Sequence, residues 1–362
     1  MNMRWYGYGH DFGNSEIGGV TVCDGKMLSA SIPTAIAKID TAAMRNLGID
    51  IAARDAHIIG FADEESTWAV GDLALQQTSA AWHGRGDIQR YASKQSLRGL
   101  LTVASSLIPD REFGLYVVTG LPAEIYMKND ALRKDIKAAL EGRHVFTTDG
   151  GSTWRIAHVE VAKVVMEGAG ALIAYGSQQE QNRYAAVIDV GGRTTDLYVA
   201  RAGVPQAEFC RGKPLGVATA AEAIKAAFEE KHEYPLTDLE ARDILHAYVS
   251  HGSKSYPEIT AYGKEINPLA IEKVVKQAVT DVGAEIVSFT ASSWRQSERG
   301  AVAVSFKPVL CIGGGTFYFY SSLKERIPHI SRVSNPVHAN AIGYCTLAAQ
   351  LYNRRPTQSA AS

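Results

Sequence analysis

Three short stretches place aspartate, glycine and hydroxyl residues directly after apolar runs that are typical of buried strands. These stretches are Asp11-Phe12-Gly13-Asn14-Ser15, the segment DVGGRTTD from Asp189 to Asp196, and Gly313-Gly314-Gly315-Thr316. A carboxylate at the end of a buried strand is costly unless it is paired or bound to a metal. Glycine lets the backbone approach an anion closely, and consecutive N–H groups can form a nest for phosphate oxygens. Together the three stretches predict a phosphate-binding site.

The second stretch carries the most detailed prediction. Gly191 and Gly192 can adopt a positive φ, and their N–H groups with the hydroxyls of Thr194 and Thr195 would form the phosphate nest. Asp189 beside such a nest suits Mg²⁺, which usually keeps several waters and bridges carboxylate to phosphate. The alternative is a tight hairpin whose aspartates only cap turn amides. The same ingredients at two other strand ends favour the nucleotide interpretation.

The alternation of strand and helix patterns predicts an α/β fold. Strands are predicted at 4–9, 18–23, 26–30 and 114–120, in the hairpin VIDV–GGRTTD–LYVA, and in KPVLCIGGG. Helices are predicted at 88–108, 124–141, 166–176, 216–231, 236–247 and 265–289, and in HANAIGYCTLAAQLY near the C-terminus. Each half opens with a strand, an aspartate, a glycine turn and a returning strand, which is a weak internal repeat. In a duplicated fold these two turns would face one another across a cleft.

The length of 362 residues predicts two domains. The polar segment 177–183 (SQQEQNR) is the predicted joint, which assigns 1–180 with the C-terminal segment 338–362 to domain I and 181–337 to domain II. The formal charge of −1, from 37 basic and 38 acidic residues, provides no broad basic field for nucleic acid.

The four cysteines are far apart and form no CxxC pair, which argues against a zinc site or a disulfide scaffold and fits a reducing cytosol. The sequence begins without the apolar segment of a signal peptide and contains no run of 18 apolar residues. We therefore expect a cytoplasmic protein with no membrane span.

The three stretches together resemble the actin-like ATPases, the superfamily of actin, Hsp70-type chaperones and sugar kinases. In that family the phosphate hairpins read DxGxxx and DxGxxTxD, and a glycine pair or triplet marks the adenosine side. The order and spacing match across nearly the whole chain, and the second motif matches completely. The chain is most similar to the branch of plasmid-segregating ParM and archaeal actin-like proteins, through VVTGLPAE at 117–124, VIDVGGRTTD, and NPVHANAIGY at 335–344. The resemblance implies two duplicated RNase H-like domains around a nucleotide cleft.

The resemblance also implies the ligands and the residues that bind them. ATP, with GTP as the alternative, would bind with Mg²⁺ held by Asp11 and Asp189. The first two turns would contact the phosphates and the third would contact the adenosine side. The implied nucleotide-binding residues are Asp11, Gly13, Asn14, Ser15, Gly191, Gly192, Arg193, Thr194, Thr195, Asp196, Gly313, Gly314, Gly315 and Thr316.

Glu167 and Asp189 are the catalytic residues that the resemblance implies. Family members carry Glu or Gln at the first helix between the domains, where it orients the attacking water. Glu167 is predicted to begin that helix, and Gly168 and Gly170 would allow close packing between domains. The alternative for Glu167 is an ordinary acidic residue at a helix N-terminus, favoured by the macrodipole.

One position departs from the family pattern. Many relatives place a phosphate-contacting lysine where this chain has Gly18. Either Arg193 or Lys26 would take that role, or no cation would. This departure puts efficient turnover in doubt rather than nucleotide binding.

Other polar residues have simpler interpretations. His57, His83 and His338 are predicted to be surface or core residues, because the histidines lack metal-ligand spacing. The segment 82–87 (WHGRGD) is predicted to be a solvent loop, with a filament contact as the alternative. The helix with Glu222 and Lys225 would either edge the adenine pocket or carry solvated charges.

We therefore expect an ATPase that assembles with itself into filaments for plasmid segregation or cytoskeletal organisation, with an adaptor protein linking the filament to cargo. No direct contact with nucleic acid is expected. Two alternatives remain, a nucleotide-binding scaffold with little hydrolysis and a small-molecule kinase of the same fold.

Overall fold

The computed structural model describes residues 3–46, 48, 57–77, 81–84, 86–176, 183–250, 256–294 and 303–355. The chain divides into two compact units. The first comprises 1–176 and 338–362, and the second comprises 177–337. Among the described residues, no helix combines the length and the apolar character needed to cross a bilayer.

The described part of the first unit contains one large mixed sheet. Its strands are β1 (Arg4–Phe12), β2 (Glu16–Cys23), β3 (Lys26–Pro33), β4 (Ile36–Ile39), β5 (His57–Phe61), β6 (Thr67–Val70), β7 (Glu112–Leu121), β8 (Gly142–Thr147) and β9 (Arg155–Met166). The strands are arranged in the order β3-β2-β1-β7-β9-β8-β5-β6-β4. The helices are α1 (Thr41–Asn46), α2 (Asp72–Gln77), α3 (Lys94–Leu107), α4 (Ala123–Lys128), α5 (Asp130–Leu140) and α6 (Ala169–Tyr175), with a 3₁₀ turn at Ile88–Ala92.

The described part of the second unit contains a smaller sheet and four helices. Its strands are β10 (Tyr184–Val190), β11 (Thr195–Arg201), β12 (Val204–Pro205), β13 (Arg211–Lys213), the pair β14 (Thr260–Ala261) and β15 (Lys264–Glu265), β16 (Phe306–Ile312) and β17 (Ile330–Arg332). The main sheet has the order β12-β11-β10-β16-β17, and β13 also pairs with β11. The helices are α7 (Val217–His232), α8 (Asp238–Ser250), α9 (Pro268–Ser293) and α10 (Thr316–Arg326), and the chain then returns to the first unit as α11 (Ala339–Asn353).

Both sheets are built around the same pairing pattern. In the first unit, β1 pairs antiparallel with β2 and parallel with β7, and β7 pairs parallel with β9. In the second, β10 pairs antiparallel with β11 and parallel with β16, and β16 pairs parallel with β17. Each unit therefore places one glycine turn at the tip of its central hairpin, between β1 and β2 and between β10 and β11.

Alternation along β1 explains how helices cover both faces of the first sheet. Tyr6 and Tyr8 are buried on one face with the apolar residues of α3. Gly7 and Gly9 face the other side, where an added Cβ would lie 2.9 Å from the nitrogen of Ala349 and 1.9 Å from the carbonyl oxygen of Ala341. The missing side chains let α11 pack directly on the backbone of β1, because successive strand residues point to opposite faces.

Four predicted elements differ from the structure. The predicted helix 88–108 is a 3₁₀ turn at Ile88–Ala92 followed by α3, because Ser93 ends the first and caps the second by accepting from the N–H of Ser96. The predicted helix 124–141 is two helices, and Asn129 caps the second by accepting from the N–H of Leu132 at 3.2 Å. The predicted helix at 166–176 begins only at Ala169, because β9 continues to Met166. The predicted turn GGRTTD is shorter, since β11 already begins at Thr195. The predicted joint 177–183 lies outside the described residues except for Arg183.

Candidate functional site

The second glycine turn spans residues 191–194, between β10 and β11. Gly191 N–H donates to Thr194 O at 2.8 Å and closes the turn. Neither Gly191 nor Gly192 adopts the positive φ that the sequence allows at these positions. A Cβ on Gly191 would lie 3.2 Å from Thr194 O, a tight contact that a small shift could relieve. The strict need for glycine lies elsewhere in the site.

Two aspartates face each other at the base of this turn. Asp189 and Asp196 are directly opposite partners on the antiparallel strands β10 and β11. Opposite residues project to the same face with Cβ atoms about 5 Å apart, and two like charges at that spacing destabilise the pair. Asp196 is buried, with 5% of its surface exposed. A bound cation would relieve this repulsion, and carboxylate oxygens suit Mg²⁺.

The first residues of α7 hold the second glycine turn through two backbone hydrogen bonds. Val217 N–H donates to Gly191 O at 3.3 Å, and Ala218 N–H donates to Gly192 O at 2.7 Å. The C=O and N–H of a trans peptide point in opposite directions. The N–H groups of Gly192 and Arg193 therefore point away from α7, as a phosphate nest requires.

Gly216 is a site residue that the sequence analysis missed. A Cβ on Gly216 would lie 2.6 Å from Gly191 O and 2.9 Å from Arg193 N. Only glycine allows α7 to begin this close to the turn. The signal in the sequence was a lone glycine before a helix, which is common and did not stand out.

Thr195 supports the turn from within the core. Its hydroxyl donates to Leu215 O at 2.7 Å, and the residue is fully buried. The sequence predicted this hydroxyl in the phosphate nest. In the structure it ties β11 to the segment that leads into α7.

The third glycine turn is locked onto the second. Gly313 has a φ of +82°, and an added Cβ would lie 2.4 Å from Val190 O and 2.5 Å from Asp189 Oδ1. Gly315 N–H donates to Val190 O at 2.7 Å. Gly314 has no neighbouring atom within 4 Å of an added Cβ. The two turns and the Asp189 carboxylate therefore form one cluster within the second unit.

Thr316 lies at the buried edge of this cluster. It begins α10, it is fully buried, and its Oγ1 lies 3.4 Å from Cys311 Sγ. Burial raises the pKa of the Cys311 thiol to about 12, so the thiol stays neutral. Thr316 therefore lies on the buried side of the third turn, at the first position of α10.

The first glycine turn lies in the other unit, at residues 13–15. Gly13 packs closely on the chain beyond the turn, because its Cβ would lie 2.6 Å from Glu16 O. Thr34 braces the turn: its hydroxyl donates to Gly13 O at 2.9 Å and its N–H donates to Ser15 O at 2.8 Å. Asn14 completes the turn between these braced residues.

Asp11 lies one residue before the end of β1, opposite Gly18 on β2. Burial raises the pKa of Asp11 to about 6, although the nearby Arg90 cation opposes this rise and Glu16 adds to it. A carboxyl group in such surroundings would be stabilised as a carboxylate by a bound cation. A Cβ on Gly18 would make only ordinary contacts, at 3.6 Å from His338 Nδ1 and 3.7 Å from Asp11 Cβ. A side chain at position 18 would thus lie beside Asp11.

Glu167 lies in the bend between β9 and α6 and is half-buried. Its N–H donates to Leu121 O at 2.8 Å. Gly168, with a φ of +88°, is the residue that caps α6, so Glu167 lies just before the helix N-terminus, where the macrodipole also favours a carboxylate. Gly170 packs on α11 within its own unit, where an added Cβ would lie 2.3 Å from Asn340 O.

The weaker candidates have structural explanations. His83 Nδ1 lies 3.0 Å from Thr34 O, and the backbone of Trp82 pairs in both directions with Ile36. The described part of the segment 82–87 is therefore held in place rather than a free solvent loop. Lys225 contacts Asp238 at 2.7 Å and Glu222 at 3.4 Å on the surface, which fits the interpretation of solvated charges. The described residues contain no group of three or more His, Cys, Asp or Glu side chains able to hold a metal.

Comparison with known proteins decides the family. Residues 9–170 match the family model of the N-terminal domain of actin-like proteins, and residues 187–325 match that of the C-terminal domain of archaeal MreB-like actin homologues. The chain belongs to the actin-like proteins. No curated protein matches the sequence.

Solved structures show the same actin-like fold. An archaeal actin homologue matches with 20% identity and a TM-score of 0.75, covering 96% of this chain and 100% of that one. A ParM in a 15-stranded filament from Clostridium botulinum matches with 22% identity and a TM-score of 0.72, covering 97% and 100%. A Bacillus thuringiensis ParM with AMPPNP matches with 16% identity and a TM-score of 0.68, covering 97% and 99%.

Proposed function

We propose that this actin-like protein binds ATP with Mg²⁺, hydrolyses it slowly and assembles into filaments. The observation that carries the proposal is the cluster in the second unit, where the third glycine turn packs against Asp189 and the start of α7 packs against the second glycine turn. Gly313 and Gly216 leave no room for a Cβ against these turns. Such close backbone packing serves a loop that must present its N–H groups in a fixed direction.

The similar proteins support a nucleotide and an assembly. A ParM is known with AMPPNP and another as a filament. We infer that turns of both units contact the same nucleotide, as membership of the family implies. ATP is the proposed ligand and GTP the alternative.

Each group at the proposed site has a distinct task. The N–H groups of Gly192 and Arg193 would donate to phosphate oxygens, and the third turn would contact the adenosine side. Asp11 and Asp189 would hold Mg²⁺, which offsets phosphate charge when bound. Glu167 would accept a hydrogen bond from the attacking water and orient it for in-line attack.

Gly18 favours one alternative, a nucleotide-binding scaffold with little hydrolysis, because position 18 lacks the lysine that would sit beside Asp11. Phosphate release separates the two: a scaffold would bind Mg²⁺–ATP yet release almost no phosphate, whether or not it is assembled. Plasmid segregation, cytoskeletal organisation and an adaptor for cargo remain proposals at the level of the family.

Calorimetric titration of the full chain with Mg²⁺–ATP tests the binding proposal. We expect saturable binding that weakens when Mg²⁺ is chelated, and loss of that Mg²⁺ dependence in Asp189→Ala. Glu222→Ala, on the surface of α7, is the matched control and should bind as the wild type does. ATP affinity unchanged in Asp189→Ala would show that this carboxylate is not part of the site. A parallel titration with GTP decides which base is preferred.

A further inference from the structure

Arg90 is a buried cation that contacts the carbonyl side of the first glycine turn. It belongs to the 3₁₀ turn Ile88–Ala92, and only 3% of the residue is exposed. Its Nη1 donates to Gly13 O and its Nη2 donates to Phe12 O, each at 3.2 Å. Nη2 also donates to the hydroxyl oxygen of Tyr91 at 2.7 Å. One charged side chain therefore binds both carbonyl groups that lead into the turn.

Aromatic rings fix the guanidinium in this position. Its central carbon lies 4.3 Å from the ring centre of Tyr91 and 5.3 Å from that of Phe12. Trp82 stacks on Phe12 with ring centres 6.3 Å apart. Burying a charge costs free energy unless fixed partners compensate. The carbonyl groups and aromatic rings around Arg90 hold its positive charge in one orientation, which an apolar core residue could not provide.

The hydrogen bonds of Arg90 determine the direction of the turn's peptide groups. The carbonyls of Phe12 and Gly13 point toward the guanidinium, and Thr34 Oγ1 also donates to Gly13 O. Because C=O and N–H point in opposite directions in a trans peptide, the N–H groups of Gly13 and Asn14 point away from Arg90. Those two N–H groups are the donors that a phosphate nest at this turn would use.

We propose that Arg90 is a positioning residue for the phosphates of a bound nucleotide. It holds the first turn so that the N–H groups of the turn face the ligand. It also supplies a positive charge on the carbonyl side of the turn, in place of the lysine that many relatives carry at position 18. This inference rests on the proposed function. Arg90 acts through the turn and does not touch the phosphates.

Arg98 provides a matched control in the same unit. It is 4% exposed, its guanidinium lies 4.2 Å from the ring centre of Trp68, and it pairs with Glu64 rather than with the first turn. Arg90→Gln and Arg98→Gln each remove a buried guanidinium stacked on an aromatic ring. Any difference between them in nucleotide binding then reports on the turn, because loss of packing is common to both.

The test compares ATP with adenosine in calorimetric titrations of the full-length variants. Arg90→Gln should weaken ATP binding about tenfold or more, the loss typical of a charged hydrogen bond, and leave adenosine binding within about twofold. Arg90→Lys should recover part of the ATP affinity, and Arg98→Gln should leave the ratio of the two affinities unchanged. Equal losses for ATP and adenosine in Arg90→Gln, or none for ATP, would overturn the proposal.

Hydrogen exchange without nucleotide separates this inference from the proposed function. Peptides that cover residues 12–16 should exchange faster in Arg90→Gln than in the wild type, with no change in Arg98→Gln. Unchanged exchange there overturns the positioning role, even if the wild type binds ATP. Faster exchange in a wild-type-folded protein that binds no nucleotide would show that Arg90 orders the first turn, and it would overturn both the proposed function and the role of that turn toward phosphates.

Discussion

Asp189 and Gly313 meet at the ends of two parallel strands. Parallel pairing sets Asp189 beside Ile312, so the chain leaves β16 directly over the carboxylate. A Cβ on Gly313 would lie 2.5 Å from Asp189 Oδ1, and the φ of +82° is one that other residues rarely adopt. The third turn therefore confines the Asp189 carboxylate on one side, while Asp196 lies opposite it on β11.

Gly313→Ala should disturb the site, and Gly314→Ala should leave the fold intact. Alanine at 313 combines left-handed strain of about 1–2 kcal/mol with overpacking of about 1–3 kcal/mol. At 314 an added Cβ meets no protein atom within 4 Å. Denaturant midpoints of the two variants, measured without nucleotide, test this difference. Equal stability of the two would contradict the packing described here.

Gly216→Ala should weaken nucleotide binding through the second turn. The new methyl group would push against Gly191 O and Arg193 N, displacing the peptide groups that α7 holds. We expect at least a tenfold loss of ATP affinity, equivalent to about 1.4 kcal/mol. Glu230→Ala, exposed on the same helix, serves as the control in calorimetry. ATP affinity equal to that of the control would show that the start of α7 does not position the turn.

Glu167→Ala should separate hydrolysis from binding. A group that orients water acts mainly in the transition state, so its loss lowers the rate by about 10²–10⁴-fold with little change in affinity. Phosphate release should fall, while the pelleted fraction in ATP should rise or stay unchanged. Glu124→Ala, a half-exposed surface acid, provides the control. Wild-type phosphate release from Glu167→Ala would mean that another residue orients the water, and loss of binding would indicate a structural role.

His10 should make the first unit sensitive to acid. Burial lowers the pKa of His10 to about 3, more than the backbone of Gly18 raises it. Below pH 6.5 His10 binds a proton in the unfolded chain but stays neutral in the folded chain. The free energy of unfolding therefore falls as the pH falls from 6.5 toward 3. Between pH 7 and pH 5 the loss is about 2 kcal/mol.

His10→Leu removes this proton and should lose correspondingly less stability on acidification. His246→Leu, at an exposed position, should behave as the wild type does. Urea unfolding at pH 7 and pH 5 measures the difference. The same acid sensitivity in His10→Leu and the wild type would rule out His10 as its source.

The hairpins and the fold family could be predicted because they depend on local signals. Alternating apolar residues, the turn residues and the motif DxGxxTxD are all contiguous, and the actin-like fold predicted from them is confirmed. The repeat of strand, turn and returning strand at β1 and β10 likewise needed no distant contact.

The packing at the site could not be predicted, because it depends on residues far apart in the sequence. Arg90 contacts Gly13 across 77 positions, and Gly216 contacts Gly191 across the segment that contains β11, β12 and β13. The sequence also pointed to Gly191, where an added Cβ would be only tight, and gave no signal at Gly216, where the backbone of the second turn excludes a side chain. A single sequence shows that a glycine is present and not which neighbour requires it.

Ultracentrifugal pelleting of the full chain tests the central claim most directly. The pelleted fraction should rise when ATP and Mg²⁺ are added together, fall when Mg²⁺ is chelated, and stay at the nucleotide-free level in Asp189→Ala. Phosphate released into the same supernatants should follow assembly of the wild type. A pelleted fraction that is the same with and without Mg²⁺–ATP across the protein concentrations tested would contradict nucleotide-dependent assembly.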